Sequence, residues 1–125
     1  MIAYDVSFEP PAPVVNVTVI HPVIDIKSEI LRGKLDSGAD VTVIPDWIIT
    51  ELQISPKGYI WVRSYDGSYF RRAFYYVTLL VEEFNLPFIR CITTNSNNLL
   101  LGRNVMNRFV ITLDGKNLIF EIKDS

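Results

Sequence analysis

An aspartate followed by a hydroxyl residue and two small residues, Asp36-Ser37-Gly38-Ala39, is the part of the sequence best suited to acid–base chemistry. The Asp36 carboxylate can accept or donate a proton. The Ser37 hydroxyl can hydrogen-bond to nearby backbone, Gly38 lets backbone N–H groups approach the carboxylate, and Ala39 leaves room for tight packing. Because apolar runs lie on both sides, the sequence predicts a loop at the end of a buried strand.

A second segment, Leu99-Leu100-Leu101-Gly102-Arg103-Asn104, supports this interpretation. Its three leucines predict a buried strand, and residues 103–109 have the apolar spacing of a short helix. In this order the two segments resemble the retropepsin-like aspartic proteases, the single-domain relatives of pepsin. That family has an Asp-Thr/Ser-Gly-Ala loop, a flap hairpin and an apolar-apolar-Gly-Arg-Asn/Asp element. The resemblance extends over residues 14–122.

The resemblance implies an all-β fold with one or two short helices, an acid protease barrel with one lobe in each chain. Residues 1–125 are expected to form one such domain. Asp36 matches the catalytic aspartate of the family, and Ser37, Gly38 and Ala39 match the rest of its active-site loop.

Two charged residues belong to the same pair of motifs. Asp40 and Arg103 match a supporting ion pair in the family, in which a guanidinium lies against a carboxylate. The alternative is that both are unpaired surface charges. Gly102 is expected to let the helix and the loop pack closely.

Peptide hydrolysis by carboxyl groups needs two of them, one to take a proton from water and one to polarise the carbonyl. Two carboxyl groups about 3 Å apart share one proton because they cannot both ionise. The other Asp-Gly pairs, Asp66-Gly67 and Asp114-Gly115, lack the following small residue and lie in predicted turns. The resemblance therefore implies a homodimer with Asp36 from each copy on the two-fold axis. It would cleave a peptide or protein substrate in a mildly acidic window, without metal or organic cofactor.

Residues 59–64 and 68–80 are predicted to be strands joined by a two-residue turn at Asp66-Gly67. Aromatic residues concentrate there, which fits either ordinary cross-strand pairing or a flap over a bound peptide. The resemblance favours the flap, with its tip at Tyr65, Asp66, Gly67 and Ser68.

The remaining elements are predicted from turn residues and alternation. Residues 46–52 have the pattern of a short helix after Pro45, and residues 24–35 that of one or two strands. A polar turn is predicted over residues 82–87 and a strand over residues 88–93. A last hairpin is predicted over residues 110–122.

Some features depart from the viral members of the family and favour a non-viral type. Ser37 stands where threonine is common, and without that methyl group we expect a looser dimer. Gly67 is the only glycine of the predicted flap. Residues 1–8 and 118–122 are the candidates for strands that tie two copies together.

Composition limits the other classes of function. The chain has 125 residues, 49% of them hydrophobic, which suits one globular core. The net charge of −2 disfavours a nucleic-acid partner, and Arg71-Arg72 is explained as a solvated strand face. No apolar run approaches the roughly 18 residues of a membrane span, and the N-terminus does not have the pattern of a signal peptide. We therefore expect a cytoplasmic protein without membrane contact.

Cys91 and His21 are each the only residue of their type. They offer no ligand set for zinc, and thiol catalysis would require the two to converge. Cys91 lies in an apolar run and is predicted to belong to the core.

Two further hypotheses remain open. The same fold could serve as a non-catalytic dimerisation or peptide-binding module. The motifs could also be accidental in an unrelated all-β protein, which predicts that Asp36 is exposed and remote from residues 99–104.

Overall fold

Runs of β-branched and aromatic residues form most of the regular structure, as their β propensity dictates. The computed structural model describes residues 1–64 and 66–124, and in these ranges it has ten strands and two short helices. The strands are β1 Ile2–Ala3, β2 Val14–Ile20, β3 Leu31–Leu35, β4 Thr42–Pro45, β5 Gly58–Arg63, β6 Tyr69–Val81, β7 Phe84–Thr94, β8 Leu99–Leu101, β9 Val110–Asp114 and β10 Ile119–Lys123. The helices are α1 Asp46–Glu51 and α2 Arg103–Met106.

Seven of these strands form one sheet in the order β2-β3-β8-β4-β7-β6-β5. Because β2 also pairs with β6, the sheet closes on itself, and only β5 extends beyond the closed part. Strands β1, β10 and β9 form a second, three-stranded sheet. This confirms the predicted mostly-β fold with two short helices.

The connection from β3 to β4 is the part of the topology that matters for the candidate site. Strand β8 lies between β3 and β4, parallel to β3 and antiparallel to β4. Gly33 pairs with Leu99 and Leu35 with Leu101. The chain therefore crosses the end of β8 between Leu35 and Thr42, and this crossing contains the Asp36 loop.

The core lies inside the closed sheet and under α1. Val15, Val17 and Val19 of β2 are fully buried, and Val14 and Thr18 of the same strand are buried as well. Cys91 is also fully buried, which confirms its assignment to the core. The helix after Pro45 is confirmed within a residue at its end.

Two predicted elements differ in extent. Over residues 24–35 only Leu31–Leu35 is a strand, since the preceding segment makes a single bridge, between Lys27 and Ile20. The second helix ends at Met106, three residues earlier than predicted, and continues as turns that include the Phe109 N–H bond to the Met106 carbonyl.

The predicted polar turn over residues 82–87 is wrong. Strand β7 begins at Phe84, so that the turn consists of Glu82 and Glu83, and Val81 pairs with Phe84. Pro87 lies within β7 at a shift of register and is exposed, next to Phe88 at φ +56°. A bulge is where a strand tolerates proline, because no ladder hydrogen bond is lost there.

The three-stranded sheet determines which strand edges near the chain ends are free to pair with a second copy. Strand β10 is its central strand, and it pairs with β9 along residues 119–123 but with β1 only at Ile119 and Phe120. The free edges belong to β1 and to β9, in which Val110 and Leu113 are more than half exposed. Residues 121–123 of β10 are also unpaired on the β1 side, so both segments predicted to tie copies together keep a free edge.

None of the helices in the described part of the chain has the length and apolar character that crossing a membrane requires.

Candidate active site

Backbone hydrogen bonds fix the Asp36 loop to the segment that follows β8. The Asp36 N–H donates to the Leu101 carbonyl at 2.9 Å, and the Arg103 N–H donates to the Ala39 carbonyl at 2.8 Å. The Ala39 N–H also bonds to the Asp36 carbonyl at 3.2 Å, which closes the loop as a turn. The two motifs thus meet, and the hypothesis that Asp36 is remote from residues 99–104 is wrong.

The Asp36 side chain is half-buried and has a defined partner. Its Oδ1 accepts a hydrogen bond from the Gly38 N–H at 2.9 Å. A Cβ on Gly38 would lie 3.2 Å from the same oxygen, so the absence of a side chain there helps the backbone to approach. Within residues 1–64 and 66–124, no second carboxylate hydrogen-bonds to Asp36. One chain therefore offers one carboxyl group for proton exchange.

Gly102 is in direct contact with the backbone of the loop. A Cβ at this position would lie 2.7 Å from the Val41 carbonyl carbon and 2.9 Å from the Ala39 carbonyl oxygen. Only glycine permits this approach, since backbone atoms cannot move aside as a flexible side chain can. The expectation that Gly102 lets helix and loop pack closely is met by this geometry.

A buried threonine and an asparagine link the same two segments through their side chains. The Thr42 Oγ1 donates to Asn104 Oδ1 at 2.9 Å and accepts from the Gly102 N–H at 3.2 Å. Asn104 Oδ1 also accepts from the Thr42 N–H, and its Nδ2 donates to the Arg90 carbonyl at 2.8 Å. Sequence analysis assigned neither residue a role. The available sequence signal was the Thr42 hydroxyl within an apolar strand, but its hydrogen-bond partner, Asn104, lies 62 positions away.

Replacing Thr42 by valine is expected to lower the free energy of unfolding by about 1–3 kcal/mol. Valine keeps the volume but leaves the buried Gly102 N–H without its acceptor. Urea denaturation measures the effect. Thr18→Val is the matched control, because Thr18 is also buried in the sheet but its hydroxyl makes no hydrogen bond within the described residues. Equal stability of the two variants would contradict the role given to Thr42.

The predicted ion pair is present. An Arg103 guanidinium N–H donates to Asp40 Oδ1. The side chains are 52% and 79% exposed, so solvent screens the attraction and the pair contributes less than about 1 kcal/mol. In the single chain the pair orients the surface of the loop rather than stabilising the fold.

A groove of about 500 Å³ runs between the Asp36 loop and the β5–β6 hairpin. It is lined by Gly38, Ala39, Asp40, Val41, Val43, Ile60, Trp61, Val62, Arg63, Tyr69 and Ile92. Its walls are polar and apolar in about equal parts, and Gly38 and Ala39 form part of one side. Asp36 and Ser37 are not among the lining residues of the single chain.

The tip of the β5–β6 hairpin is longer than the predicted two-residue turn. Arg63 pairs with Tyr69, and the Ser64 N–H bonds to the Ser68 carbonyl at 2.9 Å. Gly67 takes a left-handed conformation at φ +86°, which explains the glycine. Tyr65, the first residue of the predicted flap tip, lies outside the described residues.

The Asp66 carboxylate organises this tip. Its Oδ1 accepts from the hydroxyls of Ser64 and Ser68 at 2.7 and 2.6 Å and from the Ser68 N–H at 2.9 Å. These bonds, the Ser68 hydroxyl first, lower the pKa of Asp66 from 3.8 to about 2. The turn is therefore stabilised above the ordinary pKa, and this contribution is lost only as pH falls through about 2.

We predict that the Ser64→Ala, Ser68→Ala double variant raises the pKa of Asp66 back toward 3.8. The carboxylate then loses two hydrogen bonds from hydroxyl groups that favour its ionised form. Titration of the carboxyl carbon by NMR measures the change. Ser96→Ala, in another exposed loop, is the control and should leave the Asp66 pKa where it is. An unaltered Asp66 pKa in the double variant would contradict this account.

The basic doublet does not behave as one solvated strand face. Arg71 is exposed and stacks over the Tyr59 ring, with 4.4 Å from the guanidinium carbon to the ring centroid. Arg72 is half-buried, and its guanidinium donates to the Thr93 carbonyl. The sequence interpretation is correct for Arg71 and wrong for Arg72.

Cys91 has no features of a nucleophile. Burial raises the pKa of its thiol to about 12, so the reactive thiolate is disfavoured. The His21 Nδ1 accepts the N–H groups of Val23 and Ile24 in a surface turn. Across residues 1–64 and 66–124, no three or more His, Cys, Asp or Glu side chains converge as a metal site.

No family model and no curated protein sequence matches this chain. Solved structures do. EIAV protease, complexed with an inhibitor, is 17% identical, with a TM-score of 0.55 over 77% of this chain and 86% of that chain. Two structures of a foamy viral protease-reverse transcriptase, one with double-stranded DNA and one with an RNA/DNA hybrid, are each 19% identical over 76% of this chain. Their TM-scores are 0.56 and 0.57.

The match covers a different share of each of these proteins. The match spans only 15% and 12% of the foamy viral chains, but most of the EIAV protease. All three structures come from viral proteins, whereas the departures in the sequence favoured a non-viral type. At 17–19% identity the likeness concerns architecture alone. This chain has the retropepsin-like fold that it shares with the EIAV protease.

Proposed function

We propose that this protein is an aspartic endopeptidase that hydrolyses peptide bonds as a homodimer. The observation that carries the proposal is the attachment of the Asp36 loop to the Gly102-Arg103 corner beside an open groove. This arrangement holds a half-buried carboxylate on a hydrogen-bonded loop whose next residues line a groove of about 500 Å³. Residues 1–125 would form one protease domain, and its cytoplasmic location stays a prediction.

In the proposed reaction, water attacks the peptide carbonyl directly. The Asp36 carboxylate of one copy takes the proton from water, and the protonated Asp36 of the partner donates a hydrogen bond to the carbonyl oxygen. Ser37, Gly38 and Ala39 form the rest of the active-site loop. The Gly38 N–H holds one oxygen of the Asp36 carboxylate, which leaves the other oxygen for the reaction. Neither a covalent intermediate nor a cofactor is required.

The β5–β6 hairpin is proposed to act as the flap over the substrate. Ile60, Val62 and Tyr69 contribute to one side of the groove, opposite Ala39 and Val43 of the loop side. An extended peptide between them would make main-chain hydrogen bonds and place alternate side chains on the two walls. The hydrogen-bonded tip at Asp66, Gly67 and Ser68 gives the flap a defined shape, and the mildly acidic pH of the proposed reaction leaves it intact.

The need for a second copy follows from the chemistry, and three features of the single chain support it. Asp36 has no carboxyl partner within the described residues. Ser37 is exposed, and its hydroxyl is free to bond across an axis as the resemblance implies. The second sheet leaves the edges of β1 and β9 open, with exposed Val110 and Leu113 as the apolar surface that the partner would cover.

The test combines solution mass, cleavage and inhibitor stoichiometry. Sedimentation should give a dimer, and specific activity on a random peptide library should rise with protein concentration as the dimer forms. A pepstatin-type transition-state mimic should bind with one molecule for two chains. Tight peptide binding without cleavage at any concentration would instead favour the non-catalytic binding module with the same fold. A monomer that cleaves at full rate would overturn the dimeric mechanism.

A further inference from the structure

Arg72 borders the groove where the hairpin joins the sheet. In the β5–β6 register it lies opposite Ile60, and directly opposite residues of antiparallel strands share a face. Its guanidinium donates to the carbonyl of Thr93, the residue after Ile92. Both Ile60 and Ile92 line the groove. The Arg72 side chain is not itself among the lining residues, but it links the hairpin to β7 beside two residues that are.

A second arginine lies on the same face of the sheet. Arg90 and Ile92 are two residues apart in β7, so alternation gives their side chains the same side. The Arg90 guanidinium carbon lies 4.3 Å from the Phe74 ring centroid, and its Nη2 lies 3.2 Å from the Tyr76 hydroxyl. Stacking and hydrogen bonding hold this guanidinium near the end of the groove that Arg72 borders.

Neither guanidinium is neutralised within the described residues. The ion pairs found there join Arg32 to Asp5, Arg103 to Asp40 and Lys123 to Glu121. Arg72 contacts a carbonyl and lies 5.9 Å from the Phe70 ring centroid, and Arg90 contacts two aromatic rings and a hydroxyl. These contacts orient the planar groups but leave their charge uncompensated and most of their five donors unused. A chain with a net charge of −2 thus concentrates positive charge at one end of its groove.

We propose that this end of the groove selects an acidic side chain in the substrate, with Arg72 as the primary contact and Arg90 as a supporting charge. The inference rests on the proposed peptidase function and names its substrate class. A guanidinium fork already held at one N–H presents its remaining donors to a carboxylate with little further loss of side-chain freedom. An apolar or basic side chain at the same position would leave the charges unpaired.

The test compares matched peptides. Cleavage sites are first found by mass spectrometry in a library of random synthetic decapeptides. One cleaved peptide is then remade with Glu, Gln or Lys at each position in turn. At one position the wild-type protein should prefer Glu over Gln by roughly tenfold in kcat/KM, the ratio that 1.4 kcal/mol gives, and Lys should be cleaved least.

Arg72 variants assign that preference. Arg72→Met should remove the Glu preference, so that the Glu and Gln peptides are cleaved with equal kcat/KM. Arg72→Glu should reverse the order so that Lys is preferred. Arg108→Met is the matched control, since Arg108 is exposed, forms no ion pair within the described residues and is not among the residues that line the groove. It should keep the wild-type preference.

The outcomes separate this inference from the proposed function. Cleavage with equal kcat/KM for Glu, Gln and Lys at every position overturns the acidic selectivity and leaves the peptidase intact. A preference that survives in Arg72→Glu also overturns it. If no library peptide is cleaved, binding of the same peptide series is measured by fluorescence anisotropy. Tighter binding of Glu peptides that is lost in Arg72→Glu supports the selectivity without the peptidase, and equal binding overturns it.

Discussion

Replacing Asp36 by asparagine is expected to lower kcat/KM for peptide cleavage by at least about a thousandfold while the fold and the dimer persist. The amide cannot take a proton from water or exchange one with its counterpart. Its oxygen can still accept the Gly38 N–H, and the backbone bonds to Leu101 are unaffected. Stability should therefore change by less than about 1 kcal/mol. Steady-state cleavage, circular dichroism and sedimentation measure the three properties.

Asp114→Asn is the matched control. Asp114 is also followed by glycine, and its carboxylate accepts bonds from Asn117, which lower its pKa, but it lies in the β9–β10 turn. The control should cleave at the wild-type rate. Cleavage by Asp36→Asn at an undiminished rate would refute the proposed mechanism.

Mixing the two proteins tests whether both carboxylates are needed. After exchange with a threefold excess of Asp36→Asn, most wild-type chains are paired with an inactive partner. Cleavage should then fall well below the value for the same wild-type chains alone, at unchanged total dimer. Activity proportional to the concentration of wild-type chains would mean that one Asp36 in a dimer suffices for cleavage.

The contact between the Asp36 loop and the Gly102 segment could be predicted, because each of the two motifs contains its own local sequence signal. Asp36 follows β3 and Gly102 follows β8, and a Cβ on Gly33 of β3 would lie 3.0 Å from a Leu99 side-chain carbon, which marks close packing between the two strands. Leu99 and Leu101 are buried as their apolar character indicates. Strand pairing then brings the ends of β3 and β8 together, since Leu35 and Leu101 are in register.

The turns were predictable only where their residues are the usual ones. The Asp114-Gly115 turn was predicted, and the β9–β10 hairpin is present. Glu82 and Glu83 are not usual turn residues, and their polarity predicted a turn that extended too far. The positive φ of Glu82 is held by tertiary contact, since its carboxylate accepts the Asn16 N–H at 2.6 Å. That bond joins residues 66 positions apart, so no local pattern could reveal it.

Side-chain partners across the fold were the least predictable part of the candidate site. Asn104 was quoted as part of a motif, but its bonds to Thr42 and to the Arg90 carbonyl depend on how β4, β7 and α2 meet. The difference between Arg71 and Arg72 depends on which face of β6 turns toward β7. The contacts of these side chains follow from their position in the tertiary structure, and residue type alone is compatible with several different contacts.

Replacing Gly102 by alanine is expected to destabilise the fold by about 2–3 kcal/mol and to reduce cleavage by more than that loss explains. Gly102 has φ −81°, so the added methyl group causes no backbone strain and acts through contact alone. It would lie 2.7–2.9 Å from backbone atoms of Ala39 and Val41, and relief requires the loop to move. A displacement of about 1 Å at the reacting carboxylate costs on the order of a hundredfold in rate.

Gly115→Ala distinguishes this contact from a general cost of losing glycine. A Cβ on Gly115 would meet nothing within 4 Å, so its variant should keep both stability and cleavage. Thermal unfolding and kcat/KM are compared in the two variants. The kcat/KM values are measured well below the unfolding temperature of the less stable variant, so that unfolded chains do not contribute. Because the loop that Gly102 touches is the loop that holds Asp36, loss of rate in the folded variant links the packing of this corner to the chemistry. A Gly102→Ala variant with wild-type stability and rate would mean that the loop can shift freely, and that its position is not what makes Asp36 reactive.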